Sequence, residues 1–93
     1  MPDPDTQPQD SAAPGRDEHP LTRAVLSQLE AEIAAQRYTV ASLARALDFD
    51  RNTLRRWVKG ERDMPLPILE AILGQLRIDP AVFMTRARDR VGR

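Results

Sequence analysis

The chain contains no cysteine, and its aromatic residues are limited to one tryptophan, one tyrosine and two phenylalanines among 93 residues. The absence of cysteine excludes a disulfide framework, a cysteine-ligated zinc site and a thiol nucleophile. The only histidine is His19, and no cluster of His, Asp and Glu has the spacing of metal ligands. We therefore predict neither a metal site nor a cofactor.

Long apolar runs are also missing, because no stretch approaches the roughly 18–20 residues of a membrane span. The amino terminus has no basic start followed by an apolar core, so no secretory signal is predicted. No glycine-rich phosphate loop is present, and Ser27 and Ser42 have no base nearby in sequence. These absences favour a cytoplasmic protein that is not an enzyme, does not contact membranes and shows no small-molecule ligand site.

The formal net charge is zero, but the charges are distributed unevenly along the chain. Residues 1–20 carry a net charge of −4, and residues 21–93 carry a net charge of +4. Cationic side chains cluster at residues 51–62 and again at residues 86–93. Clustered positive charge is typical of proteins that bind polyanions, although a solvated basic face would give the same pattern.

The first 20 residues hold five of the eight prolines, with Asp, Gln, Ser and Ala between them. A segment of this composition buries too little apolar surface to offset the entropy lost on ordering. We predict a disordered, acidic, proline-rich tail over residues 1–19. The tail either solubilises the protein or shields the basic domain from non-specific binding.

Beyond the tail, apolar residues recur at helical spacing, and no alternating strand pattern is present. Thr39, Asp50 and Asp79 stand where helix N-caps are needed, and Gly60 can end a helix. The predicted helices are residues 20–36, 40–47, 51–59, 67–77 and 80–90, followed by a frayed end at 91–93. The predicted fold is all-α, a compact five-helix bundle over residues 20–90.

Residues 39–60, TVASLARALDFDRNTLRRWVKG, are the most informative stretch. They predict two short helices joined by a tight turn at residues 48–50, and so short a turn makes the helices cross steeply. Ala44 is expected at their closest approach, and Leu54 and Trp57 are expected to face inward. The second helix then presents Arg51, Asn52, Arg55, Arg56 and Lys59 outward. Arginine and asparagine can make paired hydrogen bonds to base edges in the DNA major groove.

This order of parts resembles the Cro/CI-type, or Xre-type, helix-turn-helix domain of phage repressors and bacterial regulators. The resemblance covers roughly residues 21–84: a first helix, SLARAL, a short turn, DRNTLRRWVKGER, Pro65 and PILEAILGQLRID. It implies a lambda-repressor-like fold that binds double-stranded DNA, commonly as a homodimer on two half-sites. The family often has glycine where this chain has Asp48, and an aliphatic residue where it has Trp57.

The resemblance also implies roles for individual residues. The expected base contacts are Arg51, Asn52, Arg56 and Arg55, and the expected phosphate contacts are Lys59, Arg62, Thr39 and Ser42. The alternative for Arg55 and Arg56 is a solvated helix face with ion pairs to Glu61 or Asp50. Thr39 or Ser42 would replace a polar side chain that the family often has where this chain has Val40. Asp50 is expected to cap the recognition helix and not to touch phosphate. The candidate dimer surface is Val82, Phe83 and Met84, although Phe83 would also serve to close the core under the first helix.

We predict a sequence-specific transcriptional regulator, acting as a repressor, that reads the major groove with helix 51–59. The alternative is a protein-interaction module of the antitoxin or anti-repressor type, which would favour apolar residues on the outer face of that helix. A general RNA binder would need stacking aromatic side chains, and here the aromatics fall mostly at core positions.

Overall fold

The computed structural model describes residues 19–91, which form five α-helices without a strand. The helices are α1 (Pro20–Ala35), α2 (Val40–Leu47), α3 (Arg51–Lys59), α4 (Leu66–Leu76) and α5 (Pro80–Val91). The predicted all-α fold of five helices is therefore confirmed. The bounds of α2 and α3 are as predicted, and the ends of the other helices differ from the prediction by one residue. The predicted tail lies outside the described residues except for His19, and Val91 is still helical.

One core joins all five helices. Its buried apolar side chains include Leu29 and Ile33 of α1, Leu43 and Ala44 of α2, Leu54 and Val58 of α3, Ile72, Leu73 and Leu76 of α4, and Phe83 and Ala87 of α5. Burying a large apolar side chain stabilises a fold by about 1.5–3 kcal/mol. Because this core includes Phe83 at 0% exposure, Phe83 does not belong to an accessible dimer surface, and that part of the prediction is corrected.

Four helices end in the same way, with a residue in the left-handed conformation. These residues are Arg37, Asp48, Gly60 and Arg77, with φ between 60° and 81°. In each case, the residue that follows the left-handed residue donates its N–H to the carbonyl five positions before it in the sequence. The Phe49 N–H, for example, donates to the Ala44 carbonyl at 2.8 Å. This Schellman pattern satisfies carbonyls that a helix end leaves unpaired. It turns the chain sharply, so short connections suffice between the helices.

A polar network ties α1 to α5 beside the core. The Arg86 Nη1 donates to Glu32 Oε2 at 2.7 Å, and the Arg90 Nε donates to Gln28 Oε1 at 2.6 Å. Gln28 also donates to Glu32 at 2.7 Å, and both α1 side chains are largely buried. Burial raises the pKa of Glu32, but the hydrogen bonds from Arg86 and Gln28 and the charges of both arginines outweigh it, so the pKa lies below its ordinary value. The network therefore keeps a buried carboxylate ionised.

Candidate nucleic-acid interface

A capping box fixes the start of α2. The Ser42 N–H donates to Thr39 Oγ1 at 3.0 Å, and the Thr39 N–H donates to Ser42 Oγ at 2.9 Å. Ser42 Oγ also lies 3.1 Å from the Thr39 carbonyl oxygen. Reciprocal bonds of this kind satisfy amides that a helix start leaves unpaired. The two hydroxyls that the sequence offered for phosphate are thus engaged with each other.

The turn between α2 and α3 depends on Asp48, which adopts φ 60° and ψ 42°. Aspartate tolerates this left-handed region better than most residues, so the turn forms without the glycine that the family often has there. Ala44, which is 2% exposed, lies on the buried side of α2, and its carbonyl accepts the Phe49 amide. The turn thereby sets how steeply α3 crosses α2.

Asp50 caps α3. Its carboxylate accepts the Thr53 N–H at 2.9 Å and the Thr53 hydroxyl at 3.0 Å. The bond from the Thr53 amide, then that from its hydroxyl, lowers the pKa of Asp50 below its ordinary value, and the charge of Arg56 adds to the effect. The carboxylate is therefore ionised at the positive end of the helix dipole, where it fixes the first turn of α3.

The inner face of α3 is apolar and held on two sides. Leu54 and Val58 are 0% and 2% exposed in the core. Trp57 is half-buried, and its ring meets the Phe49 ring edge-to-face, with centroids 6.1 Å apart. Such aromatic pairs contribute about 0.5–1.5 kcal/mol beyond area burial. Trp57 thus packs α3 against the turn that precedes it, and a smaller aliphatic side chain could not reach the same partner.

The outer face of α3 is polar and exposed. It consists of Arg51, Asn52, Arg55, Arg56 and Lys59. At 3.6 residues per turn these five side chains span an arc of about 140°, so they form one surface, which we call the outer face. Among residues 19–91, no ion pair joins Arg55 or Arg56 to Glu61 or Asp50. The guanidinium groups of this face are therefore available to an anionic or hydrogen-bonding partner.

Lys59 differs from the rest of the outer face because it has a partner on α1. Its Nζ lies 2.9 Å from Glu30 Oε2, with the two side chains 54% and 45% exposed. Sequence reasoning missed this contact. Nothing in the local pattern signals it, because the two residues are 29 positions apart. Arg62, the other predicted phosphate residue of this region, is exposed in the loop after α3.

The remaining dimer candidates, Val82 and Met84, are 44% and 38% exposed on α5. Residues two apart on a helix point about 200° away from each other. Val82 and Met84 therefore lie on opposite flanks of the buried Phe83 and do not form one continuous patch by themselves. The most exposed large apolar side chain among residues 19–91 is Leu66, which is 65% exposed at the start of α4.

Other kinds of site find little support in residues 19–91. This part of the chain contains no group of three His, Asp or Glu side chains placed to hold a metal ion. None of its helices is long and apolar enough to cross a membrane.

Comparison with known proteins points to the same region. A family model described as the Cro/C1-type HTH DNA-binding domain matches residues 28–86, from the middle of α1 into α5. The match includes α2, the turn and α3 in full. A search of curated proteins gave no match, and neither did a search of solved structures.

Proposed function

The chain belongs to the Cro/C1-type helix-turn-helix family of DNA-binding domains, and on that premise we propose that it is a sequence-specific transcriptional regulator that reads the major groove with α3. The membership confirms the resemblance drawn from the sequence and makes the chain a DNA-binding transcription regulator in general terms. We propose in addition that α3 recognises a specific DNA sequence, that named side chains make the contacts, and that the protein represses transcription.

The observation that carries the proposal is the outer face of α3. Leu54 and Val58 hold the helix in the core, and Asp50 fixes its first turn. As a result, Arg51, Asn52, Arg55 and Arg56 project together from a short, rigid helix. A major groove about 12 Å wide admits such a helix. A module that binds protein through this face would be expected to present apolar side chains there, and this face has none.

Direct readout follows from the chemistry of these groups. Arg51 and Arg56 would each donate two hydrogen bonds to the O6 and N7 of a guanine, and Asn52 would pair with the N6 and N7 of an adenine. Arg55 lies between them on the same arc and would contact either a base or a phosphate. Each good bidentate pair contributes about 1–3 kcal/mol of discrimination against the wrong base.

Phosphate contacts would position the domain. Lys59 and Arg62, at the end of α3 and in the next loop, would supply charge that is neutral to sequence. Contact by Lys59 requires it to leave Glu30. Contact by Thr39 or Ser42 requires their hydroxyls to exchange a bond within the capping box, so these two residues are the weaker phosphate candidates.

As a regulator, the protein would repress by occupying a promoter. Expression of a reporter gene controlled by the operator should rise when the gene for this protein is deleted. Unchanged or lower expression would contradict repression. We propose a two-fold dimer on paired half-sites, with either Val82 or Met84, on opposite flanks of α5, as the candidate contact. Sedimentation with and without operator DNA tests the dimer.

The experiment that tests the proposal is selection of bound sequences from a random DNA pool, followed by salt-titrated binding of the selected duplex and a scrambled duplex. Arg56→Ala is expected to weaken binding to the selected duplex about 5- to 150-fold, the equivalent of one lost bidentate pair, and to relax preference at one position. Arg88→Ala is the matched control, because Arg88 is an exposed arginine on α5.

Arg88→Ala should leave the ratio of selected to scrambled binding unchanged. If Arg56→Ala also leaves that ratio unchanged, α3 does not read bases as proposed. If the wild type binds no DNA even at low salt, the protein-interaction alternative becomes the better hypothesis, and it would then be pursued by identifying the protein partner.

A further inference from the structure

Lys59 of the outer face and Glu30 of α1 form an ion pair at the surface that is proposed to bind DNA. Lys59 Nζ lies 2.9 Å from Glu30 Oε2, and both side chains are about half exposed. We propose that Glu30 is a positioning residue that competes with DNA phosphate for Lys59 and thereby lowers the affinity of the protein for every DNA sequence. This inference rests on the proposed function, because it concerns the same surface of the protein.

The pair is placed so that a phosphate could exchange for the carboxylate. Ion pairs between exposed groups are weak in water, so neither side chain is locked in its position. Lys59 is the last residue of α3, so it lies at the C-terminal end of the outer face. A DNA phosphate that approaches this end finds Lys59 already paired and must displace Glu30 to bind it.

After such an exchange, Glu30 would remain close to a polyanion without its partner. The carboxylate would then repel the phosphates and recruit a solution cation, which offsets the counterion release that favours DNA binding. Arg23 lines the same shallow depression as Glu30, Ser27 and Lys59, so it is a candidate alternative partner for the released carboxylate. Because phosphate contacts carry no sequence information, the effect should be equal on operator and non-operator DNA.

The test is a double-mutant cycle of Glu30→Gln, Lys59→Gln and the combined variant. Each protein is titrated with salt on one non-operator duplex and on the duplex recovered by selection. Glu70→Gln is the matched control, because it removes the same charge from an exposed position on α4. Thermal unfolding of each variant shows whether it is folded under the binding conditions.

Glu30→Gln is expected to bind both duplexes about two- to fivefold more tightly, the range of an exposed ion pair. The slope of log affinity against log salt should steepen by up to about 0.9, the value of one neutralised phosphate. The ratio between the two duplexes should not change. In the Lys59→Gln background, the gain from Glu30→Gln should be smaller than in the wild type, because only the direct repulsion between the carboxylate and phosphate remains to be removed. Glu70→Gln should change affinity less than Glu30→Gln does.

Three results would overturn the inference: no gain from Glu30→Gln, an equal gain in the Lys59→Gln background, or an equal gain from Glu70→Gln. Its failure is distinguishable from failure of the proposed function. If the wild type binds both duplexes equally, the proposed sequence-specific recognition is wrong, but the coupling between Glu30 and Lys59 can still be measured on both duplexes. If the wild type prefers the selected duplex and Glu30 and Lys59 are not coupled, only the proposed role of Glu30 is wrong. Absence of all DNA binding overturns both.

Discussion

Gly60 and Gly74 lie in very different environments. Gly60 follows α3 with φ +81°, and a Cβ built on it would lie 3.1 Å from Leu26 Cδ1. Gly74 lies within α4, where a Cβ would meet nothing within 4 Å. The backbone conformation and the nearby Leu26 side chain thus favour glycine at the first position, whereas nothing at the second position favours it. Gly60 matters for function because it ends the helix whose outer face is proposed to read DNA.

Gly60→Ala should lower the free energy of unfolding by about 1–2 kcal/mol, because a residue with a Cβ is strained in the left-handed region and the new methyl group would crowd Leu26. Chemical denaturation measures the change. Gly74→Ala is the control and should raise the free energy of unfolding by up to about 1 kcal/mol, the difference in helix propensity. If both substitutions destabilise the protein equally, the left-handed backbone at Gly60 and its contact with Leu26 are not the cause of the loss.

The elements themselves show which local signals govern helix bounds. Thr39 and Asp50 cap α2 and α3, and Gly60 follows α3. These residues predicted both helices to the residue, since a cap acts only through its immediate neighbours. Helix α4 begins at Leu66, one residue before the predicted start, with Pro65 in the capping position and Pro67 inside the first turn. A first-turn proline is compatible with either start, because its missing N–H would have no partner there anyway.

Thr39→Ala should lower the free energy of unfolding by about 1 kcal/mol, because it removes the side-chain acceptor for the Ser42 amide at the start of α2. Urea unfolding measures this loss, and Thr39→Ser should restore most of it. Under conditions where both proteins are folded, DNA affinity should be close to that of the wild type. A large loss of affinity in the folded variant would instead show that the Thr39 hydroxyl contacts phosphate.

At the scale of the whole molecule, the polar network of Gln28, Glu32, Arg86 and Arg90 joins the first helix to the last. Its carboxylate has a pKa below its ordinary value in the folded protein. For an acid with a lowered pKa, folding is stabilised above the unfolded pKa, and that contribution is lost as pH falls through the lower, folded pKa. The packing of α5 on α1 should therefore weaken in acid.

Glu32→Gln should lower the free energy of unfolding at neutral pH by about 1.5–3 kcal/mol, the range for hydrogen bonds to a charged group. It should also flatten the dependence of stability on pH below about pH 4.5, which is the ordinary pKa of a glutamate. Urea unfolding between about pH 3 and pH 7 measures both effects. Glu70→Gln, at an exposed position of α4, should keep the dependence of stability on pH that the wild type shows. If the free energy of unfolding of Glu32→Gln depends on pH as steeply as that of the wild type, other carboxylates cause the loss of stability in acid.

Much of the candidate site was predictable for the same reason that α2 and α3 were. Exposure of Arg51, Asn52, Arg55 and Arg56 follows from helical spacing once Leu54 and Val58 are assigned to the core. The left-handed Asp48 was also foreseeable, because a three-residue turn needs one such residue. The capping box was foreseen only on the Thr39 side, since the reciprocal bond from the Thr39 amide to Ser42 depends on a side-chain rotamer.

The sequence by itself determined the five helices, the turn between α2 and α3 and the cationic outer face, because caps and apolar spacing act over a few residues. Only the tertiary structure decided that Lys59 meets Glu30, 29 residues away, and that Arg86 meets Glu32, 54 residues away. It also decided that Phe83 closes the core between exposed neighbours. Helical spacing says which side of a helix is apolar, but not which helix will cover it, and these contacts depend on how α1 packs against α3 and α5.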